Sequence, residues 1–411
     1  MTYCKMKTSK NIWIINQYAS TPETGYAGRS YYLAKELAKL GHCITLISAS
    51  YTHLLREHTP QKENYSIKKI DGFSQCSIKT MYYKDARSKI RVLNWFVFAY
   101  RLLRIPKFLS NSPDVIMYSS PSLPPVFSAL RLCKNNNAKL IFEVRDIWPL
   151  TLVEVGGVPT LHPIVKMLQY IEDTAYKKSD LLVSNLPCAY KHIKDRGGDI
   201  QKFTWIPNGF CEYEMKRCQP LDKNYFPKDV KGKFIVGYTG TLGDANAIDI
   251  LIEAAKLLAR NELIHFVLVG GGKNKCELVE LVRKYSLTNV TFLPSIRKEQ
   301  VQSALKYFDA CYLGWHKSSL YRFGIAPNKL PEYFYAKKPV LHSYSGVKDM
   351  VQEAGAGLSV DAANPSELAG AILRLSVMDK KELDRMGNHG FNYAISKLSY
   401  SNISNDLANL F

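Results

Sequence analysis

The sequence lacks the spacings that hold transition metals or bring paired carboxylates to a divalent cation: it has no Cys-x-x-Cys, no His-x-x-x-His or His-Glu-x-x-His, and no Asp-x-Asp. Its nine cysteines, at 4, 43, 76, 133, 188, 211, 218, 276 and 311, are scattered and odd in number, which excludes a disulfide framework and predicts reduced thiols. No apolar run approaches the roughly 20 residues that cross a bilayer; residues 92–100 form the longest near the middle of the first half, and Asn94 interrupts them. Lys5, Lys7 and Lys10 precede an apolar run, residues 12–15, too short for a signal-peptide core, and no small-residue cleavage pattern follows, so an intracellular protein is expected. What is present is ordinary globular material: 411 residues, 46% apolar and 22% charged, enough for two domains of similar size.

The net charge of +19 is unevenly spread. Residues 1–200 carry +13 of it, and residues 79–107 carry eight Lys and Arg against a single acid, Asp85. The same segment holds Tyr82, Tyr83, Trp95, Phe96, Phe98 and Tyr100. Basic residues flanking aromatic ones on a helix suit the headgroup zone of an anionic membrane, and Lys84, Arg87, Lys89, Arg91 and Trp95 are the expected contacts. The plainer alternative is a core helix whose solvated face is basic. Nucleic acid is not an expected partner, because no ribonucleoprotein aromatic motif, zinc finger or helix-turn-helix is present.

Hydrophobic periodicity organises the chain into two α/β halves. Residues 11–16 read as a strand, 17–29 as a polar loop bearing glycine, 31–40 as a helix stopped by Gly41, and 44–48 as the next strand. That βαβ unit implies a parallel sheet. The grammar repeats from residue 234, with strands at 234–238, 266–269 and 290–293. Residues 206–233, rich in proline and lysine without periodicity, read as a linker. The expected division is 1–205, the linker 206–233, 234–390, and a final segment 391–411.

Three loops could receive an anion. Gly25-Tyr26-Ala27-Gly28-Arg29 ends the first strand and opens a helix, so that Gly25, Gly28 and Arg29 converge on one point; the glycines would equally serve to shape a turn. The spacing is not Gly-x-Gly-x-x-Gly and no acid closes the second strand, which disfavours a dinucleotide oxidoreductase. Gly240, Thr241 and Leu242 hold the matching place in the second half, while Gly270 and Gly272 would let a ligand approach the backbone. The sharpest element is residues 323–341. Pro327 and Asn328 can start a helix that presents Lys329 and Glu332 three residues apart on one face, a cation for a diphosphate and a carboxylate for a ribose diol. A helix-start charge pair without a ligand is the alternative.

The stretch Pro327-Asn328-Lys329-Leu330-Pro331-Glu332-Tyr333 with its following Ala336, Lys338-Pro339-Val340, the run Ile206-Pro207-Asn208-Gly209, the loop Tyr238 to Gly243, and Glu143-Val144-Arg145-Asp146-Ile147-Trp148-Pro149 together resemble the large retaining glycosyltransferase family 4. The resemblance is to its bacterial members that build O-antigens, capsules and exopolysaccharides, and it runs over nearly the whole chain. It implies an α/β GT-B fold: two Rossmann-like domains with parallel sheets facing across a cleft, the second binding a nucleotide sugar, the first binding the acceptor, and a last helix crossing back to the first.

The resemblance further implies transfer, with retention, from a nucleoside diphosphate sugar, most commonly UDP-linked, to a lipid-linked saccharide at the inner face of the cytoplasmic membrane. The nucleotide sugar would be a substrate, and neither cofactor nor metal is expected. Glu332 matches the second carboxylate of the family's Glu-x7-Glu motif; the first position is Gly324 here, and the Arg and Lys that many members place after the first strand of the second domain are absent. Glu332, Asn328, Gly240, Thr241, Leu242, Gly270 and Gly272 are the expected donor contacts. Asp146 and Lys329 are the catalytic candidates, and Arg145 joins Gly25, Gly28 and Arg29 on the acceptor or phosphate side. A GT-B epimerase or hydrolase acting on the nucleotide sugar alone, and a non-catalytic membrane-surface partner of a polysaccharide assembly complex, are the rivals.

Overall fold

The structure, a computed structural model, describes residues 9–25, 27–58, 60–85 and 88–411. It divides into two compact units, one made of the described residues up to Pro207 together with Tyr400–Phe411, the other of Asn208–Ser399.

In unit 1 the strands are β1 (Asn11–Ile15), β2 (Cys43–Ala49), β3 (Tyr65–Ile70), β4 (Phe73–Ile78), β5 (Val115–Ser119), β6 (Lys139–Val144), β7 (Leu181–Ser184) and β8 (Phe203–Trp205). They form one sheet in the order β3-β4-β2-β1-β5-β6-β7-β8, parallel except for the β3–β4 hairpin at one edge. The central strands are buried on both faces, which is why β1 and β5 read as continuous apolar runs rather than alternating ones. Helix α1 (Arg29–Lys39) provides the crossover between β1 and β2, with Gly28 as its N-cap. Helix α2 (Lys89–Leu102) follows the hairpin and is capped by the Ser88 hydroxyl, which accepts from the Ile90 amide. The helix Tyr400–Ala408 completes the unit against α1, with the Tyr400 ring stacked on Tyr32 at 4.9 Å.

Unit 2 carries β9 (Phe234–Thr239), β10 (Ile264–Val269), β11 (Val290–Leu293), β12 (Ala310–Gly314), β13 (Val340–Ser343) and β14 (Gly357–Val360). All pair in parallel, in the order β11-β10-β9-β12-β13-β14. Its core joins β9, β10 and β12 to the helices Ile248–Leu257 and Pro365–Ser376 through Leu251, Ile252, Phe266, Leu268, Tyr312 and Ile372.

The expected boundaries shift. Residues 208–233 belong to unit 2 and contain the short helix Glu212–Lys216, so they are not a free connector. The return to unit 1 begins at Tyr400 rather than at 391, because Lys380–Tyr393 is a helix of unit 2 and the extended backbone at Ser399 ends the turn that follows it.

Candidate functional site

In an open parallel sheet ligands gather at the carboxyl ends of the strands, where loops leave the sheet. In unit 2 that edge brings Lys329 onto the loop after β9. The Lys329 Nζ donates to Asn246 Oδ1 at 2.7 Å and lies 5.3 Å from the centre of the Tyr238 ring. Its stem crosses residue 240 so closely that a Cβ there would fall on Lys329 Cε, and the φ of +137° at Gly240 independently favours glycine. Burial pushes the Lys329 ammonium down to about 8, with Glu332 opposing the fall.

Glu332 is half-buried, and among the described residues its carboxylate makes no hydrogen bond. Desolvation raises its pKa, while Lys298 and Lys329 pull it back. The cation and the acid are therefore neighbours in potential without being locked as an ion pair. The helix carrying them is held to β9 by the buried Tyr333, whose hydroxyl accepts from the Thr239 amide at 3.2 Å.

The helix starts later than the sequence predicts, at Leu330 rather than at Pro327 and Asn328, with Lys329 as its N-cap. Pro331 has no amide hydrogen and fits the first turn, where none is needed. Asn328 instead stays in the preceding loop, its Oδ1 accepting from Asn208 Nδ2 at 2.9 Å, and the same amide donates to the Ala326 carbonyl. The Pro207-Asn208 signal thus ends in a residue that fixes the approach to Lys329.

The glycine loops behave differently from the expectation. Gly270 and Gly272 are not cleared for a ligand: a Cβ at either would strike the Gly240 or Leu242 carbonyl oxygen, so the two loops pack on each other. Gly240 N donates to Val269 O at 2.9 Å and Leu242 N to Gly271 O at 2.8 Å, which consumes two amides expected to face phosphate. Leu242 itself is fully buried in the core. The Thr241 carbonyl is bound by the Tyr238 hydroxyl and by Asn246 Nδ2. These interactions build a rigid platform under Lys329. Beside it opens a cavity of about 340 Å³ lined by Gly243, Asp244, Ile248, Asn274, Leu278 and His316. Asn246, Tyr238 and Tyr333 were not legible as site residues, although Tyr238 opens the loop already singled out and Asn246 lies three residues beyond its end.

In unit 1 Arg29 is 3% exposed and engaged through two of its three nitrogens. Its Nε donates to Glu143 Oε1 at 2.7 Å, and its Nη1 to the Pro207 carbonyl. Glu143 also accepts from the Ser119 hydroxyl. Burial pushes the Glu143 carboxyl up, but Arg29, Arg145 and the Ser119 bond outweigh it and hold the group below the usual range. Arg29 therefore neutralises a buried carboxylate, and of its three nitrogens only Nη2, also buried, has no hydrogen-bond partner among the described residues. Gly25 donates its amide to the Thr21 carbonyl and bridges Leu55, while Gly28 caps α1 from an exposed position.

Arg145 and Asp146 leave the end of β6 half-buried. The two Asp146 oxygens accept from Thr151 Oγ1 at 2.9 Å and Trp148 Nε1 at 3.1 Å, so this carboxylate shapes its own loop. Trp148 in turn meets Trp95 edge to face, and Trp95 Nε1 donates to Tyr18 Oη at 2.8 Å. Trp95 is 3% exposed, which removes it from the expected surface contacts; an indole with a hydrogen-bond partner inside is better placed there than in water. Arg91 is half-buried, its Nε donating to the same Tyr18 hydroxyl. Lys84 and Lys89 are exposed, and Arg87 lies outside the described residues.

The exposed face of α2 is apolar. Ile90, Leu93, Phe96 and Tyr100 follow one another at helical spacing, with Leu93 53% and Tyr100 56% exposed, and Leu103 extends the stripe. Arg104 lies over the Tyr100 ring, and Lys107 and Phe108 continue the exposed surface. Among the described residues no helix is long and apolar enough to cross a membrane, and no three His, Cys, Asp or Glu side chains gather as metal ligands.

Residues 222–393, all within unit 2, match the family model described as glycosyl transferases group 1. No curated protein matches the chain. Among solved structures the chain is similar to a sucrose-phosphate synthase from Thermosynechococcus elongatus, at 17% identity and TM-score 0.71 over 98% of each chain. It is similar to the E. coli trehalose-6-phosphate protein bound with UDP-2-fluoro glucose, at 12% identity and TM-score 0.74, covering 97% of this chain and 98% of that one. Anabaena HepE in complex with UDP and glucose follows at 14% identity and TM-score 0.64, covering 97% and 98%. At these identities the likeness establishes the fold: α/β, of the GT-B type, with two Rossmann-like parallel-sheet units.

Proposed function

We propose that the chain is a retaining, metal-independent glycosyltransferase that moves a sugar from a UDP-sugar to a saccharide carried on a lipid diphosphate, in bacterial surface-polysaccharide assembly at the inner face of the cytoplasmic membrane. The observation that carries the donor half is the unspent carboxylate of Glu332 one helical turn from the Lys329 ammonium, over the loop after β9. A carboxylate accepts both hydroxyls of a ribose diol, and an ammonium is a point charge suited to a diphosphate. The UDP ligands in the names of two similar structures, and the match of residues 222–393 to the group 1 model, support the choice of donor.

As the anomeric carbon separates from the diphosphate, through an oxocarbenium-like transition state, negative charge grows on the departing oxygen. Lys329, held by Asn246 over a backbone that cannot shift, meets that charge with little reorganisation. The acceptor hydroxyl attacks from the face the leaving group vacates and passes its proton to the departing phosphate, so the new bond keeps the original configuration. Asn328 acts in this scheme through the loop it fixes. Position 324, where the related motif has a carboxylate, adopts a φ of +89°, a conformation that favours the glycine present and leaves no acid there.

The acceptor half rests on α2. An exposed apolar stripe with Lys89, Arg104 and Lys107 nearby fits the headgroup and acyl boundary of an anionic membrane better than water. Lys84 and Lys89 keep their expected role, and Ile90, Leu93, Phe96 and Tyr100 replace Trp95 as the inserting groups. The names of the sucrose-phosphate and trehalose-6-phosphate structures favour a second reading, in which the acceptor is a soluble sugar phosphate.

A thermal-shift series with UDP, GDP, ADP and dTDP tests the donor: UDP is expected to raise the melting temperature most, because a ligand bound to the folded form alone stabilises it. No shift with any of the four refutes the donor site. Product analysis with a lipid-linked saccharide and a soluble sugar phosphate separates the acceptors, and release of free sugar with neither present would mark a hydrolase.

A further inference from the structure

An asparagine amide has two polar ends, opposite in kind and alike in shape, so the direction it faces is settled by what its neighbours can donate or accept. Two asparagines at the approach to Lys329 settle it for each other. Asn208 is 7% exposed, and its Nδ2 reaches the Ala326 carbonyl at 3.0 Å and Asn328 Oδ1 at 2.9 Å. A carbonyl oxygen only accepts, so the atom facing Ala326 is the amide nitrogen, and its two hydrogens are both committed. The atom that Asn328 turns toward it is then the oxygen. Asn328, an exposed residue, keeps its own NH2 group for other partners, and among the described residues that group makes no hydrogen bond.

Asn208 is itself held in place. Two residues on, the Phe210 amide donates to the Leu398 carbonyl at 3.0 Å, and the Phe210 ring lies 5.3 Å from that of Tyr335, the last residue of the helix that carries Glu332. Residues 208–210 therefore touch the chain on both sides of Lys329 and Glu332. Asn246 makes the contrast, since its Oδ1 is taken by the Lys329 ammonium and its Nδ2 is tied back to the Thr241 carbonyl. An ammonium has three donors, and one of the three on Lys329 is already on Asn246. A diphosphate has more anionic oxygens than the remaining two can meet. The residue next to Lys329 in the chain offers two further N–H groups.

We propose that Asn328 donates an amide N–H to a diphosphate oxygen of the nucleotide, and that Asn208 is the positioning residue that sets the direction of that amide. The assignment rests on the glycosyltransferase reading above and adds a direct contact to the loop-holding part given to Asn328 there. A neutral donor fixed beside an ammonium stabilises the charge growing on the departing oxygen without a proton changing hands.

Calorimetry with UDP on the full chain, read as a double-substitution cycle, tests it. Asn328→Ala should weaken UDP binding by about tenfold, the lower end for a hydrogen bond to a charged group. Asn208→Ala frees the Asn328 amide to turn and should weaken binding several-fold. If that variant fails to fold, Asn208→Asp, which keeps the size and draws the Asn328 N–H onto its own carboxylate, should do the same. Both alanines together should cost no more than about twofold beyond Asn328→Ala alone, because the second residue acts through the first. Affinity for uridine, which has no phosphate, should be unchanged in each variant. Additive losses, equal losses for uridine and UDP, or undiminished UDP affinity in a folded Asn208 variant overturn the assignment. An unsubstituted chain that binds no UDP defeats the donor reading itself, whereas UDP binding indifferent to both asparagines defeats this assignment alone.

Discussion

Arg29 in unit 1 and Lys329 in unit 2 occupy similar places in the chain, each at the start of a helix that follows a glycine-bearing loop, and they come to opposite ends. The arginine is enclosed with Glu143 and the Pro207 carbonyl. The lysine touches a neutral amide and an aromatic face, and the nearest carboxylate stays unbonded. A cation at a strand end is a binding group when the protein leaves its charge unspent, and a structural group when a buried acid has already claimed it.

The largest expected effect breaks this contrast from the unit 1 side. Arg29→Met strands the Glu143 carboxylate in the interior and should cost about 3–5 kcal/mol in denaturant unfolding. A loss below about 1 kcal/mol would show the pair to be dispensable and reopen Arg29 as a ligand group. Because the Glu143 pKa is depressed in the folded state, its contribution is present above the ordinary carboxylate range and fades as the pH falls below it.

On the unit 2 side, Lys329→Met should leave unfolding nearly unchanged and weaken UDP binding by about ten- to a hundredfold, the value of about 1.5–3 kcal/mol for a charged hydrogen bond. Calorimetry reads it directly, and undiminished affinity would remove Lys329 from the site. Smaller and more diagnostic is the pH dependence. The ammonium titrates near 8 in the free protein, and a bound diphosphate raises that value; affinity is therefore full below 8 and declines as the pH climbs past it, with proton uptake on binding in that window. Glu332, raised by burial, loses its charge at a higher pH than an ordinary carboxylate and should weaken binding on the acid side. A flat profile between pH 7 and about 9 would contradict the ammonium's part.

The smallest effects belong to α2. Leu93→Asp and Phe96→Asp should each lower partition onto anionic vesicles by about 1–2 kcal/mol, and neutralising Lys84 or Lys89 by about 1 kcal/mol, less at high salt. Unchanged pelleting of the double aspartate variant would make the stripe an ordinary surface.

Much of the fold was legible because β1, β2, β9 and β10 and the helices after them declare themselves by periodicity, and those elements define two parallel sheets. The β3–β4 hairpin was not: its alternation of Cys76 and Ile78 with Gln75 and Ser77 is short and polar, too weak a pattern to mark a strand. Lys329 and Glu332 were visible because their spacing alone places them on one face. The pairing of Arg29 was invisible, since its partner Glu143 lies 114 positions away and only the sheet order brings them together. The glycines at 270 and 272 misled for a related reason: a missing Cβ signals a close approach without saying whether the visitor is a ligand or the neighbouring loop.

The return of the chain to α1 has a consequence for synthesis. Because Tyr400 stacks on Tyr32, the first half to leave the ribosome waits for its closing helix until the second half has been made. Nascent chains stalled before that helix should carry an exposed seam on α1, and a chaperone that shields apolar surface would be needed over most of the time translation takes.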